Sequence, residues 1–426
     1  MRLKFYLYTI AISCIILSCE DDKKNEKLQK NPKQKIQLTA KDILGNPNYL
    51  AISYGGYRKS TRGIQPTVAE VKEDMKILHA MKIKILRTYN VQLAQAETIL
   101  EAIRELKSEN PSFEMYVMLG AWIDCENAWT GNAPNHDVES AQNEGEIARA
   151  VQLANQYPSI VKIVAVGNEA MIRWATSYFV RPNVILKWVT HLQDLKKKGN
   201  LPKDLWITCS DDFASWGGGD PSYRVHDLEQ LIKAVDYVSM HTYPYHNTHY
   251  NPNFWKVPDD GRNVSDKEKI DSAMFRALEF AKMQYKAVSE YVQSVDSTKQ
   301  IHIGETGWAT VSNGHYGVDG SRATDEYKQG LYYKQLREWT NKNNISCFYF
   351  EAFDEQWKDA KNPDGSENHF GLINLKGEAK YPLWELVDKG AFKGLSRDGF
   401  SITKTYNGTI NELMKGVLVP NTDYPR

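Results

Sequence analysis

Two stretches of this chain carry an apolar run onto a carboxylate. One is Val164-Ala165-Val166-Gly167-Asn168-Glu169, and the other is Ile301-His302-Ile303-Gly304-Glu305-Thr306-Gly307-Trp308. A charge at the end of a buried strand is costly to desolvate unless it is paired, so each glutamate needs a partner or a use. Two carboxylates that converge in a partly apolar cup can share the work of breaking a glycosidic bond, one kept protonated and one ionised. Asn168, just before Glu169, is a neutral donor suited to a sugar 2-hydroxyl. One strand-end glutamate alone reads equally well as half of a salt bridge. Two of them, each after a glycine-containing turn and followed by aromatic residues, favour chemistry.

Further groups sit at similar places. Phe350-Glu351-Ala352-Phe353-Asp354-Glu355-Gln356-Trp357-Lys358 continues an apolar run into several charges and a tryptophan. Trp122, Trp129, Trp174, Trp216, Tyr243, Tyr245, Trp308 and Trp357 all follow strand-like runs. Rings so placed are expected to stack against successive sugar units, and each one alone could equally anchor a loop. Trp308 in particular is expected to form a wall or platform for sugar, with the glycines around Glu305 letting a ring approach the backbone. Arg87 ends another apolar run and could either hydrogen-bond a catalytic carboxylate or form a buried structural ion pair. His241, His246 and His249 give a His-x-x-His spacing in a loop rich in Pro and Asn. No Asp or Glu stands nearby in a ligand pattern, so these histidines do not read as a zinc site and none of the chain reads as a metal centre. His241 is expected in a site wall or in the core.

Eight apolar runs are available to position these groups: Leu50–Tyr54, Ile83–Tyr89, Phe113–Leu119, Ile160–Val166, Leu205–Ser210, Val235–Tyr243, Gln300–Glu305 and Ile345–Phe350. Between them the apolar residues recur every three to four positions, most clearly over Val68–Met81, Ala94–Leu106, Glu144–Gln156, Val184–Lys197, Ala273–Val292 and Asp325–Thr340. Strands alternating with helices eight times predict the α/β class and a (β/α)₈ TIM barrel. Tyr54-Gly55-Gly56-Tyr57 does not match a dinucleotide fingerprint, and the glycine-rich 215–220 lacks the lysine of a phosphate loop. No cofactor is indicated. The long connections follow strands, at the face where such barrels build a site, and are expected to form a substrate cleft. In a closed barrel the ends of strands four and seven face each other, which brings Glu169 and Glu305 together. The barrel is expected over 48–392, with 393–426 packed against it.

Lys plus Arg and Asp plus Glu both number 53 in 426 residues, so nothing favours nucleic acid as a partner. About 42% of the chain is apolar and 25% charged, with 11 Trp and 24 Tyr, which suits a globular binder of flat polar ligands. Residues 1–19 read as a lipoprotein signal peptide: a basic start, an apolar segment too short to span a bilayer, and Ile16-Leu17-Ser18-Cys19 resembling a lipobox. Cys19 would carry the lipid, and residues 20–47 would be a charged tether. The expected location is the outer membrane of a Gram-negative bacterium, at the cell surface, and the expected state is a monomer. Cys125, Cys209 and Cys347 show no C-x-x-C spacing, which indicates neither a disulfide framework nor zinc.

V-G-N-E at 166–169, M-H-T-Y-P-Y at 240–245, G-E-T-G-W at 304–308 and F-D-E-Q-W-K at 353–358 together resemble glycoside hydrolase family 17. The four motifs stand in that family's order, over roughly residues 48–390. The resemblance implies a retaining β-1,3-glucan hydrolase or a related transglycosylase, with Glu169 as acid/base and Glu305 as nucleophile. It implies that Tyr243 contacts sugar near the nucleophile and that Glu355 and Lys358 support the site from the last loop. The chain departs from the pattern at Trp308-Ala309-Thr310, where many members have proline after the tryptophan, and at Gln356-Trp357, in place of an Asn-rich ending. Hydrolysis of a laminarin-like glucan is the leading expectation. The alternatives are glucanosyl transfer with the same glutamates and a non-catalytic glycan-binding lipoprotein.

Overall fold

The eight apolar runs become eight parallel strands: β1 (Leu50–Ser53), β2 (Ile83–Arg87), β3 (Tyr116–Ala121), β4 (Val161–Asn168), β5 (Trp206–Asp212), β6 (Val238–His241), β7 (Ile301–Gly307) and β8 (Cys347–Phe350). The computed structural model describes residues 37–257 and 264–424. The strands close into a barrel in chain order, with β1 paired to both β2 and β8. No end differs from the expected one by more than three residues. The strands are buried on both faces, which is why they read as continuous apolar runs rather than alternating ones.

The helices of nine residues or more among the described residues are α1 (Val68–Ala80), α2 (Gln95–Glu109), α3 (Gln142–Gln156), α4 (Pro182–Lys197), α5 (His226–Ala234), α6 (Asp266–Val295) and α7 (Glu326–Lys342). Their starts are written in the sequence. Thr67 Oγ1 accepts from Glu70 N while Glu70 reaches back to Thr67 N, a reciprocal cap on α1. Ser265 and Glu268 do the same for α6, and Pro182 opens α4 where its missing N–H costs nothing. Along α2, Ile99, Leu100, Ile103 and Leu106 form one buried stripe. The nine-residue α5 buries only Leu228, Leu231 and Ile232, too few for a clear periodic signal.

The tether expectation needs a correction at its C-terminal end. Thr39 begins a one-turn helix, Ala40–Ile43, and Ala40, Ile43 and Leu44 are buried with Ala51, Ile85, Met118, Ile163 and Phe348. These apolar side chains cover the barrel interior at the N-terminal ends of the strands, so the fold starts at Leu38, ten residues before the expected 48. Residues 20–36 and the lipobox cysteine, Cys19, lie outside the described residues. At the other end, Arg397 Nε donates to buried Asp74 at 2.9 Å and Lys328 Nζ donates to the Leu418 carbonyl at 2.8 Å. These bonds fasten the segment after 393 to the barrel helices. Cys125, Cys209 and Cys347 are free and buried. Among the described residues no helix is long and apolar enough to cross a membrane.

Candidate active site

The turn after β4 aims Glu169 into the barrel mouth. Gly167 has φ 83° and Glu169 φ 47°, the left-handed region that non-glycine residues adopt at a cost. A Cβ on Gly167 would also stand 2.9 Å from Ala170 Cβ. Glu169 N donates to the Ser210 carbonyl of β5 at 3.0 Å, which holds the strained residue in place. Its side chain is 15% exposed, and Oε1 lies 2.9 Å from His241 Nδ1.

Glu305 on β7 is buried and held on both oxygens. Tyr243 donates to Oε1 at 2.5 Å, Tyr89 donates to Oε2 at 3.0 Å, and the Arg87 guanidinium pairs with Oε2. The two readings of Arg87 thus merge: it is a buried ion pair, and its partner is Glu305. Arg87 Nη2 also donates to Asn168 Oδ1 at 2.5 Å. Because arginine can only donate, the Asn168 amide oxygen faces it and the NH₂ group is turned away. One carboxylate oxygen of Glu169 and one of Glu305 lie within 4.8 Å of each other.

The environments drive the two acids apart. Burial, then the Glu305 charge, pushes Glu169 up to about 8. Burial acts on Glu305 in the same sense, but the Arg87 charge and the hydrogen bonds of Tyr243 and Arg87 outweigh it and hold the carboxyl at about 2. Separated values in one pair mark an acid and an ionised carboxylate. One ring nitrogen of His241 lies within the same 4.8 Å, and Arg87 brings a fixed positive charge to Glu305 and to His241 Nε2, 3.2 Å away. A cation placed among these groups would be repelled by that guanidinium.

A cleft of about 710 Å³ opens beside the pair, lined in part by Asn168, Glu305, Tyr89, Trp122, Trp129 and Trp357. On one side Trp129, 63% exposed, stacks on Tyr178 with centroids 4.9 Å apart, and Trp122 leans on the same tyrosine at 5.3 Å. On the other side Trp357 has the Arg62 guanidinium 4.5 Å over its ring and the Tyr57 ring at its edge. Trp357 Nε1 donates to Glu355 Oε2 at 2.7 Å, and Tyr57 N donates to Glu355 Oε1 at 3.0 Å. Glu355 therefore spends its oxygens joining the loops after β1 and β8. Lys358 pairs with Glu351, stands 3.8 Å from Glu355, and has the Phe350 ring 4.1 Å below its ammonium.

Several expected ligand-facing residues are elsewhere. Trp308 is fully buried among Tyr245, Trp255 and Tyr332, and its Nε1 donates to the Ala323 carbonyl at 2.8 Å. It is a core residue, as are Trp216 and Tyr245. All three rings are fully buried, which no linear pattern records. Trp174 is 62% exposed and is not among the residues that line this cleft; it stands on a loop that Arg173 ties to Ser222. The glycines near Glu305 also serve packing rather than sugar. A Cβ on Gly304 would stand 2.1 Å from Ser239 Oγ, and one on Gly307 2.0 Å from the Phe350 carbonyl. His249 bonds Tyr424, while His246 bonds Tyr316 and packs against the Tyr243 ring at 5.0 Å, one residue removed from Glu305.

The fold adds residues that the motifs did not single out. Tyr89 stands two positions beyond Arg87 and shares its carboxylate. Glu351 is the first residue after β8, where burial raises it well above the usual range despite Lys358. Glu367, at the cleft edge, comes from a short turn with no periodic signal.

Comparison with known proteins agrees with this geometry. A family model described as the BtgE/BtgC glycoside hydrolase domain matches residues 51–371. An Aspergillus niger relative named for glucan endo-1,3-beta-glucosidase activity is 27% identical over 332 residues, 74% of this chain but 40% of that protein. This chain thus spans under half the length of that relative. The crystal structure of an endo-laminarinase from Formosa is 63% identical, with TM-score 0.89, and covers 91% of this chain and all of the other. A Rhizomucor miehei β-1,3-glucanosyltransferase in complex with laminaritriose shares the fold at 21% identity and TM-score 0.53, covering 79% of this chain and 96% of that one. The (β/α)₈ expectation and the resemblance to glycoside hydrolase family 17 are both borne out.

Proposed function

This chain belongs to the BtgE/BtgC glycoside hydrolase family, and we propose that it hydrolyses internal β-1,3-glucosidic bonds of a laminarin-like glucan by double displacement. The observation that carries the reading is the Glu169–Glu305 pair, with oxygens within 4.8 Å and opposite pKa shifts. Retaining enzymes hold their carboxyls about 5–5.5 Å apart, and inverting ones about 6.5–9.5 Å. Glu305 attacks the anomeric carbon while protonated Glu169 gives its proton to the departing glycosidic oxygen. The sugar is left as an ester on Glu305. Water then passes a proton to Glu169 and its oxygen to the anomeric carbon, and Glu305 leaves as carboxylate. Attack twice on the same carbon retains its configuration. The 63% identical endo-laminarinase supports both the β-1,3 linkage and internal cleavage.

Proton NMR of a laminari-oligosaccharide digest tests this: the first product should be the β-anomer. Sizing products over time should show mid-length oligosaccharides early. An α-anomer as first product would overturn the double displacement, and products longer than the substrate would mark glucanosyl transfer instead. Glu305→Ala should abolish turnover and leave glucan binding intact.

We also infer that Cys19 is lipidated and holds the enzyme, as a monomer, at the outer face of a bacterial outer membrane. The leader pattern and the acidic Glu20-Asp21-Asp22 after the cysteine support this reading. Labelled palmitate should enter the wild type and not Cys19→Ala. Protease added to intact cells should remove the protein. Sedimentation of the soluble form should give one chain's mass.

A further inference from the structure

His241 is fixed from both sides of its ring. It is fully buried at the end of β6, opposite Asp212 on β5 and Glu305 on β7 in the barrel register. Nε2 faces two groups: Arg87 Nη2 at 3.2 Å and Ser210 Oγ at 2.7 Å, the latter bonded in turn to Ser239 Oγ at 3.0 Å. Nδ1 faces Glu169 Oε1 at 2.9 Å. The charged and titratable groups around the ring are Arg87 from β2, Glu169 just after β4, Asp211 and Asp212 from β5, and Glu305 from β7.

A guanidinium offers only donors and does not lose its proton in proteins. A hydrogen on Nε2 would therefore point at an N–H of Arg87. Nε2 must be the bare nitrogen, accepting from Arg87 and Ser210. Burial drives the ring toward its neutral form, to about 4, so it carries a single proton. That proton sits on Nδ1 and points at Glu169 Oε1.

We propose that His241 is a positioning residue that confines the acid proton of Glu169 to Oε2, through a tautomer set by Arg87. This rests on the hydrolase reading above and deepens it. With Oε1 occupied as an acceptor, the carboxylic proton of Glu169 resides on the other oxygen, which no side chain of the described residues bonds. In the opposite tautomer Glu169 would donate to Nδ1, and its proton would point away from the glycosidic oxygen. Once Glu169 has given up its proton, the Nδ1–H bond acts on a carboxylate and strengthens. His241 neither gains nor loses a proton in either step. Arg87 thus serves both acids: it keeps Glu305 ionised directly and orients Glu169 through the imidazole.

The test uses two substrates that differ in their need for an acid. A laminari-oligosaccharide leaves as an alcohol and needs its oxygen protonated, whereas a 2,4-dinitrophenyl laminarioside leaves as a stabilised phenolate. His241→Ala should lower kcat/KM on the oligosaccharide by roughly tenfold or more. On the dinitrophenyl glycoside kcat/KM should change by less than about threefold, since its departure draws little on acid catalysis. The basic limb of the oligosaccharide pH profile should move to higher pH, because the ionised form of Glu169 loses a donor. His241→Gln, which keeps a side-chain N–H, should recover part of the loss and part of the pH shift. Equal losses on both substrates, or a basic limb that does not move in either variant, would overturn the proposal. If the wild type itself turned over neither substrate, the hydrolase reading would fall and this inference with it.

Discussion

Tyr243 Oη lies 2.5 Å from Glu305 Oε1 while Arg87 pairs with Oε2, so each oxygen of this carboxylate has its own donor. Both donors favour the ionised form against the burial that opposes it. Tyr243→Phe should therefore raise the Glu305 pKa and move the acidic limb of kcat/KM to higher pH. Rate at the optimum should fall about 10- to 100-fold, the range for losing a hydrogen bond to a charged group. Initial rates from pH 3 to 9 would measure both effects.

Loss of activity on the alkaline side should belong to Glu169. The reaction needs this residue protonated, so rate falls as pH rises through its raised pKa of about 8. Burial is the first cause of that shift and the Glu305 charge the second. Glu305→Gln removes the second cause and should lower the Glu169 pKa while leaving it above the ordinary carboxylate value. Carbon-detected NMR titration of the Glu169 carboxyl in both proteins reads the difference.

Trp308 and Trp129 should respond in opposite ways to replacement by alanine. Trp308 is a fully enclosed ring with a bonded Nε1, and its loss should cost about 3–5 kcal/mol of stability. Trp129 is 63% exposed over Tyr178. Its loss should change stability by less than about 0.5 kcal/mol and raise KM for long glucans more than for short ones. Urea unfolding and a chain-length series of oligosaccharides separate the two.

Gly167→Ala should damage both fold and rate. The residue has φ 83°, and an added Cβ meets Ala170 at 2.9 Å. Strain of this kind costs roughly 1–3 kcal/mol, and part of it would be relieved by moving Glu169. Unfolding midpoints should drop, and kcat should fall more than glucan affinity.

Much of the fold was legible because a barrel strand is buried on both faces. It leaves a run of Val, Ile and Ala that no surface strand would carry, and Thr67, Ser265 and Pro182 mark helix starts by local rules. The one-turn helix at Ala40–Ile43 escaped notice because it is too short to show a period. Its burial depends on the barrel interior above it.

Element order, the two strand-end glutamates and the amide beside one of them are legible in the chain without its fold. These depend on residues close in the chain, where periodicity and motif spacing speak. Which aromatic rings meet the cleft is set by the tertiary structure, since Trp308 and Trp129 both come after barrel strands and only their surroundings separate a core ring from an exposed one. Tertiary structure also decided the division of labour between the acids. The pKa of a carboxyl is set by burial and by charges within a few ångströms, and for Glu169 and Glu305 those neighbours come from β2, β4, β6 and β7, far apart in the chain.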